Sequence, residues 1–160
     1  MSARMHATAI HWPGLGGALI LGPSASGKSD LALRTLGLGA LLISDDQVIL
    51  TRKANILIAE APPPIAGYLE ARRIGIIAVP SIAAAALHAA FIIEGGPQTS
   101  RLPEPQPLSL PLGATLPSFR IDPLEACAAE LVRAGLWLLA HNPDQSLPSL
   151  AGFISKPGAS

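Results

Sequence analysis

Cysteine is all but missing from this chain: Cys127 is the only one in 160 residues. An intrachain disulfide is therefore excluded, and a cysteine-based zinc site lacks its thiolates, which fits a reducing cytoplasm. Cys127 itself is expected to be small core filler rather than a nucleophile. Net charge is missing too, with 11 Lys and Arg against 11 Asp and Glu. No global charge draws the protein to nucleic acid or to an anionic membrane, and neither partner is expected. The four histidines, His6, His11, His88 and His141, lack metal-ligand spacing. No internal repeat is visible, and Met1 to His11 mixes polar and charged residues, which predicts no signal peptide. Although 49% of residues are hydrophobic, the stretch most like a membrane span, Ile74 to Ile93, is broken by Pro80, Ser81 and His88 and is rich in alanine. Two buried strands around a short alanine-rich turn or helix explain it better. The length suits one compact domain, and a soluble, cytoplasmic location is expected.

What is present is an alternation of short apolar runs with turn signals. Residues 5–12 and 16–21 read as strands joined at Trp12-Pro13-Gly14, the second without polar alternation, as in a strand buried on both faces. Residues 28–36 take a helical period with Ala32, Leu33 and Leu36 on one side, and Gly37 and Gly39 end it. Leu41 to Ile43 is another buried strand, running into Ser44-Asp45-Asp46, and residues 47–58 read as a hairpin turning near Arg52-Lys53-Ala54. Pro62 to Pro64 predicts an extended linker, and Ile74 to Val79 and Leu87 to Ile93 further strands. Gly95 to Ser118, with its prolines, predicts a long loop. Asp122 as N-cap, Pro123 at the first helical position and Glu125 three residues after the cap predict a last helix. Its buried stripe would be Leu124, Ala128, Leu131, Gly135 and Leu138, and Asn142-Pro143 stops it. Residues 1–142 are thus expected to form the functional domain and 143–160 a flexible tail.

Gly22-Pro23-Ser24-Ala25-Ser26-Gly27-Lys28-Ser29 fits the phosphate-loop pattern G-x-x-x-x-G-K-[ST] at every position. Small residues let backbone N–H groups approach phosphate oxygens. Lys28 offers a mobile cation to the β- and γ-phosphates, and the Ser29 hydroxyl can ligate Mg²⁺. The context strengthens the match, because a strand ends at Gly22 and a helix begins at Lys28, with its positive dipole end toward the same phosphates. Asp45 and Asp46 close an apolar strand and so emerge at one end of a sheet. One carboxylate there can hold Mg²⁺ through water while the other accepts a proton from an attacking hydroxyl; a solvated strand end is the plain alternative. Glu70 beside Arg72 and Arg73 is either a surface ion pair or a metal ligand with a phosphate-binding neighbour.

The order of these pieces resembles the catalytic domain of HPr kinase/phosphorylase. That family pairs its phosphate loop with an Ala-Asp-Asp sequence, here Ser44-Asp45-Asp46, and a signature Leu-Glu-x-Arg-Gly-x-Gly-Ile-Ile, here Leu69 to Ile77 with Arg73 in place of the first glycine. His6-Ala7 and Arg101-Leu102 match two further sites. The resemblance implies an α/β fold: a mixed sheet with a phosphate loop, flanked by helices and similar to the nucleotide domain of phosphoenolpyruvate carboxykinase. It implies ATP and Mg²⁺ as cofactors, Asp46 as the base toward a substrate serine, Lys28 and Arg101 as phosphate-stabilising groups, His6 close to the reacting phosphate, and Ser29 and Glu70, with Asp45, at the metal. The substrate would be HPr or an HPr-like phosphocarrier of a phosphotransferase system, and the assembly a homo-oligomer, commonly a hexamer. The chain would be a short form holding the catalytic domain alone. Longer members carry a C-terminal Pro-x-Arg-Pro-Gly-Arg tied to phosphorolysis; here only Phe119-Arg120-Ile121-Asp122-Pro123 stands nearby. Two other readings remain at this level: a phosphate-loop kinase of a small molecule, and a nucleotide-binding regulatory protein without turnover.

Overall fold

A computed structural model describes residues 1–95 and 104–141; Arg101 and the expected tail lie outside the described residues. The strands are β1 (Ser2–His6), β2 (Thr8–Trp12), β3 (Gly16–Leu21), β4 (Leu41–Ser44), β5 (Gln47–Lys53), β6 (Ile56–Glu60), β7 (Tyr68–Ala71), β8 (Gly75–Ala78), β9 (Ala84–Ile93), β10 (Gln106–Ser109) and β11 (Thr115–Ile121). The helices are α1 (Lys28–Gly37) and α2 (Ala128–His141). One mixed sheet runs β1-β5-β6-β9-β3-β2-β4, with β11 added parallel to β9 and β10 antiparallel to β11, while β7 and β8 form a separate ribbon. The β3–β9 pair is parallel, and β2 pairs antiparallel with β3 across the Pro13-Gly14 turn.

Alternation along the central strands divides the interior in two. Ile10, Ala18, Ile20, Ala89 and Phe91 point to the face on which both helices pack, with Leu31 and Ala32 of α1 and Ala128, Val132 and Leu136 of α2. Ala9, Leu19, Leu87 and Ala90 point the other way, against Val48, Leu50, Leu57 and Ala59 of the sheet's own β5–β6 end and against Leu110, Ala114 and Leu116. The sheet therefore curls over its second core, and the helices flank one face. Helix α1 buries Lys28, Leu31, Ala32 and Thr35, a stripe at one-face spacing, and Gly39 ends it at φ 113°.

Several expectations are corrected. The strand over 5–12 is broken at the fully buried Ala7, where the chain passes from β1 to β2. Pro63–Ile65 make a 3-10 turn instead of an extended linker. The 74–79 strand is real but not buried: Ile74 and Ile76 are exposed, because β8 pairs only with β7, a strand the sequence reading missed. The alanines 84–86 open β9 rather than a turn or helix. The Pro-rich stretch holds β10 and β11, with Pro107 and Pro117 facing each other as register partners in the outermost pair. β10 is an edge strand and β11 pairs with β9 only from Ser118 onward, so each proline has an open side and can go without an N–H to give. Asp122 does cap, its Oδ1 accepting the Leu124 N–H at 2.9 Å, but it caps a turn; the helix starts at Ala128. Its buried stripe is Ala128, Ala129, Val132, Gly135, Leu136 and Trp137, while Leu124 and Leu131 are exposed. Cys127 is exposed as well, so it fills no core. No helix among the described residues is long and apolar enough to cross a membrane.

Candidate functional site

The loop between β3 and α1 closes on itself because its residues are small. A Cβ on Gly22 would stand 2.6 Å from Ser26 Oγ and 3.1 Å from Ile93 Cβ, so any larger residue there would force its neighbours to shift. Gly27, the residue before the helix, takes φ 102°, which favours glycine. Lys28 is buried and its ammonium donates to the carbonyls of Gly22 (2.9 Å) and Pro23 (2.7 Å), holding a cation against the loop. The first-turn N–H groups of α1 have no partner within the helix, as at any helix start.

Opposite the loop, β4 ends at Ser44, and the two aspartates after it have different surroundings. Asp45 is buried. Its Oδ1 accepts the Ser29 hydroxyl at 2.6 Å and the Thr8 hydroxyl at 3.1 Å, and its Oδ2 accepts the Glu70 N–H at 3.1 Å. Asp46 is 64% exposed at its side chain, takes φ 70°, and meets His6 Nδ1 at 3.3 Å. Its backbone is fixed by Thr8 Oγ1, which accepts the Asp46 N–H, and by Ala7, whose N–H donates to Asp46 O. One carboxylate is thus locked in place and its neighbour is presented to solvent with a histidine beside it.

These groups share a cavity of about 360 Å³ lined by Ser24, Ala25, Gly27, Lys28, Ser29 and Asp30 on one side and Asp45, Asp46, Glu70, Arg72 and Arg73 on the other. A larger cavity of about 660 Å³ shares none of these residues and carries leucines and prolines with His88 alone as a titratable group. Of the two, it is the smaller on which cations, hydroxyls and carboxylates converge. Glu70 reaches Asp45 through its backbone, and among the described residues neither Arg72 nor Arg73 pairs with it, so the surface ion pair considered from sequence does not form. No group of three or more His, Cys, Asp or Glu close enough for a metal occurs among the described residues. That set does not exclude Mg²⁺, which commonly uses one or two carboxylates with phosphate and water oxygens. Ser29 and Asp45, two oxygen donors already in contact, fit it.

The sequence reading named Gly22 to Ser29, Asp45, Asp46, Glu70 and His6, and the structure brings them together; Arg101 lies outside the described residues. It missed Thr8, which ties both aspartates. The available signal was a hydroxyl opening an apolar strand two residues after His6.

Loop, acidic strand end and ribbon define a mixed α/β domain with one polar site at the edge of a curled sheet. The family model described as HPr serine kinase C-terminal domain matches residues 1–87, and the chain belongs to that family. An HPr kinase/phosphorylase from Clostridium acetobutylicum is 38% identical over 79 residues, 49% of this chain and 26% of the relative. One from Clostridium botulinum is 41% identical over 76 residues, 48% of this chain and 25% of the relative. The match thus spans about a quarter of these relatives' length. The solved HPr(Ser) kinase/phosphatase from Coxiella burnetii superposes with a TM-score of 0.74 at 25% identity, covering 86% of this chain and 99% of that one.

Proposed function

We propose that the protein is an ATP- and Mg²⁺-dependent kinase that phosphorylates a serine of HPr or an HPr-like phosphocarrier. The observation that carries this reading is the division of labour between adjacent aspartates in the cavity that Lys28 shares: Asp45 locked to Ser29, Asp46 free beside His6. A base needs access to its proton donor, and Asp46 is the accessible carboxylate. It accepts the serine proton, and His6 orients it by the contact to Oδ1. Lys28 offsets phosphate charge from the loop side, and residues 22–29 cradle the phosphates through backbone N–H groups. Ser29 and Asp45 would hold Mg²⁺, with Glu70 at the same rim; the metal, when bound, supplies charge neutralisation on phosphate oxygens. Transfer itself rests on positioning.

The forward direction is favoured. Arg120, the guanidinium nearest to where the phosphorolysis motif would fall, stands in an exposed ion pair with Glu94, a carboxylate that competes with inorganic phosphate for it. A homo-oligomeric, hexameric assembly and a cytoplasmic location belong to the same proposal. The deciding experiment is incubation with γ-labelled ATP, Mg²⁺ and an HPr-type carrier, beside a metabolite mixture, with Lys28→Ala as control. Label on the carrier serine supports the reading. Label on a metabolite makes the protein a small-molecule kinase, and no label makes it a regulatory nucleotide binder; either result overturns the proposal.

A further inference from the structure

Five described residues other than glycine have a left-handed backbone: Ala25, Asp46, Ala54, Arg73 and Leu112. Three of these, Ala25, Asp46 and Arg73, line the polar cavity described above. Side chains other than glycine are strained in that conformation, and such strain gathers where a group must be held in a set place. Arg73, at φ 69°, occupies the tip of the β7–β8 ribbon, in a turn closed by the Ile74 N–H on Ala71 O at 3.0 Å. Nothing at that tip requires an arginine for stability. The residue is exposed and makes no ion pair or hydrogen bond among the described residues, although the cavity also holds Asp46 and Glu70. Of the two other cations lining the cavity, Lys28 is buried and engaged by Gly22 O and Pro23 O, and Arg72 is exposed and, like Arg73, unpaired among the described residues, but only Arg73 has the left-handed backbone. Three arginines elsewhere have partners: Arg34 on Pro123 O and Glu125 O, Arg52 on Leu112 O and Gly113 O, and Arg120 on Glu94.

We infer that Arg73 binds the terminal phosphoryl group of the nucleoside triphosphate, approaching from the ribbon while Lys28 approaches from the loop. This assignment rests on the nucleotide reading given above. A guanidinium matches phosphate oxygens in a two-pronged geometry that an ammonium lacks, so lysine should replace it only in part. A group on the terminal phosphoryl distinguishes a triphosphate from a diphosphate, which one on the inner phosphates does not.

The test is calorimetric titration of MgATP and MgADP into the wild type, Arg73→Gly and Arg73→Lys, with melting temperatures alongside. Arg73→Gly should weaken MgATP about tenfold and MgADP less than about twofold, with Arg73→Lys between. Its melting temperature should equal or exceed that of the wild type, since glycine adopts this backbone without strain. Equal weakening of both nucleotides, no weakening of either, or weakening with a lowered melting temperature would overturn the assignment and leave Arg73 a structural or solvated residue. A wild type that binds neither nucleotide would overturn the nucleotide reading itself, and this assignment with it.

Discussion

Residues 1–87 and residues 104–141 use the same kinds of side chain in opposite ways. In the later region polar groups tie backbone to backbone. The Ser118 hydroxyl donates to Gln106 O at 2.8 Å and the Asp122 carboxylate accepts the Leu124 N–H at 2.9 Å, while Arg34 of the earlier region reaches across to Pro123 O (2.6 Å) and Glu125 O (2.9 Å). In the earlier region Asp46 and Glu70 are exposed at the rim of one cavity, Arg72 and Arg73 have no partner among the described residues, and of the charged side chains lining that cavity Asp45 and Lys28 are the engaged ones. Groups left available and convergent on a concave surface mark where chemistry can occur, while groups satisfied by carbonyls hold the scaffold that keeps them there. The two regions meet at Gly27, where an added Cβ would lie 3.4 Å from Pro123.

If that division is right, the largest effect on activity belongs to the free aspartate. Asp46→Asn should lower phosphoryl transfer by a factor on the order of 10² or more while MgATP binding, followed by calorimetry, stays near wild type. Near-normal transfer in that variant removes Asp46 from the base role.

The largest effect on stability should come from the β3–β9 seam inside the earlier region. A Cβ on Gly17 would lie 2.4 Å from Ala86 O, a backbone atom that cannot turn aside. Gly17→Ala should therefore destabilise the fold by about 1–3 kcal/mol, since β3 and β9 must move apart. A melting temperature unchanged in calorimetry would show that the seam is looser than this packing implies.

Arg34→Ala removes two hydrogen bonds at a partly exposed place and should cost about 1 kcal/mol, with faster hydrogen exchange at amides 122–128. Carrier phosphorylation should hold within about twofold; its collapse would mean that the later region takes part in the site and would erase the contrast drawn above.

The smallest effect concerns His11, held below its ordinary pKa first by burial and then by nearby His88. The folded protein resists protonating it, so the unfolded chain takes the proton more readily. Stability from this group is complete above the unfolded value of about 6.5 and is lost as the pH falls below it. His11→Gln should flatten the decline in denaturation midpoint between about pH 7 and pH 5. An unaltered slope would place the acid sensitivity elsewhere.

Legibility followed the same division. The loop Gly22 to Ser29, the helix after it and the strand ending at Asp45-Asp46 were all visible, because glycine, apolar runs and chain order set them within a few residues of each other. Ribbon β7–β8 was half seen. The residues of β7 carry no strand signature beside the prolines, and the pairing that makes them one is with β8 rather than with a core. Asp122 did act as a local cap, but what it caps is a turn, and the carbonyls of that turn at Pro123 and Glu125 are held by Arg34, 89 and 91 positions earlier in the chain. Pro107 and Pro117 read as a loop because proline ordinarily breaks a ladder, whereas an outer pair leaves room for them.

By itself the sequence determined where a phosphate could be cradled and which carboxylates stood near it along the chain, since those features depend on local backbone sterics and on residue type. Only the tertiary structure decided which aspartate is locked and which is free. That outcome depends on Thr8, Ser29 and the Glu70 amide arriving at one carboxylate from three separate elements. It also decided that Arg73 lines the same cavity as Lys28, 45 positions before it, because a ribbon's placement over a loop is fixed by packing between distant segments, which no local pattern encodes.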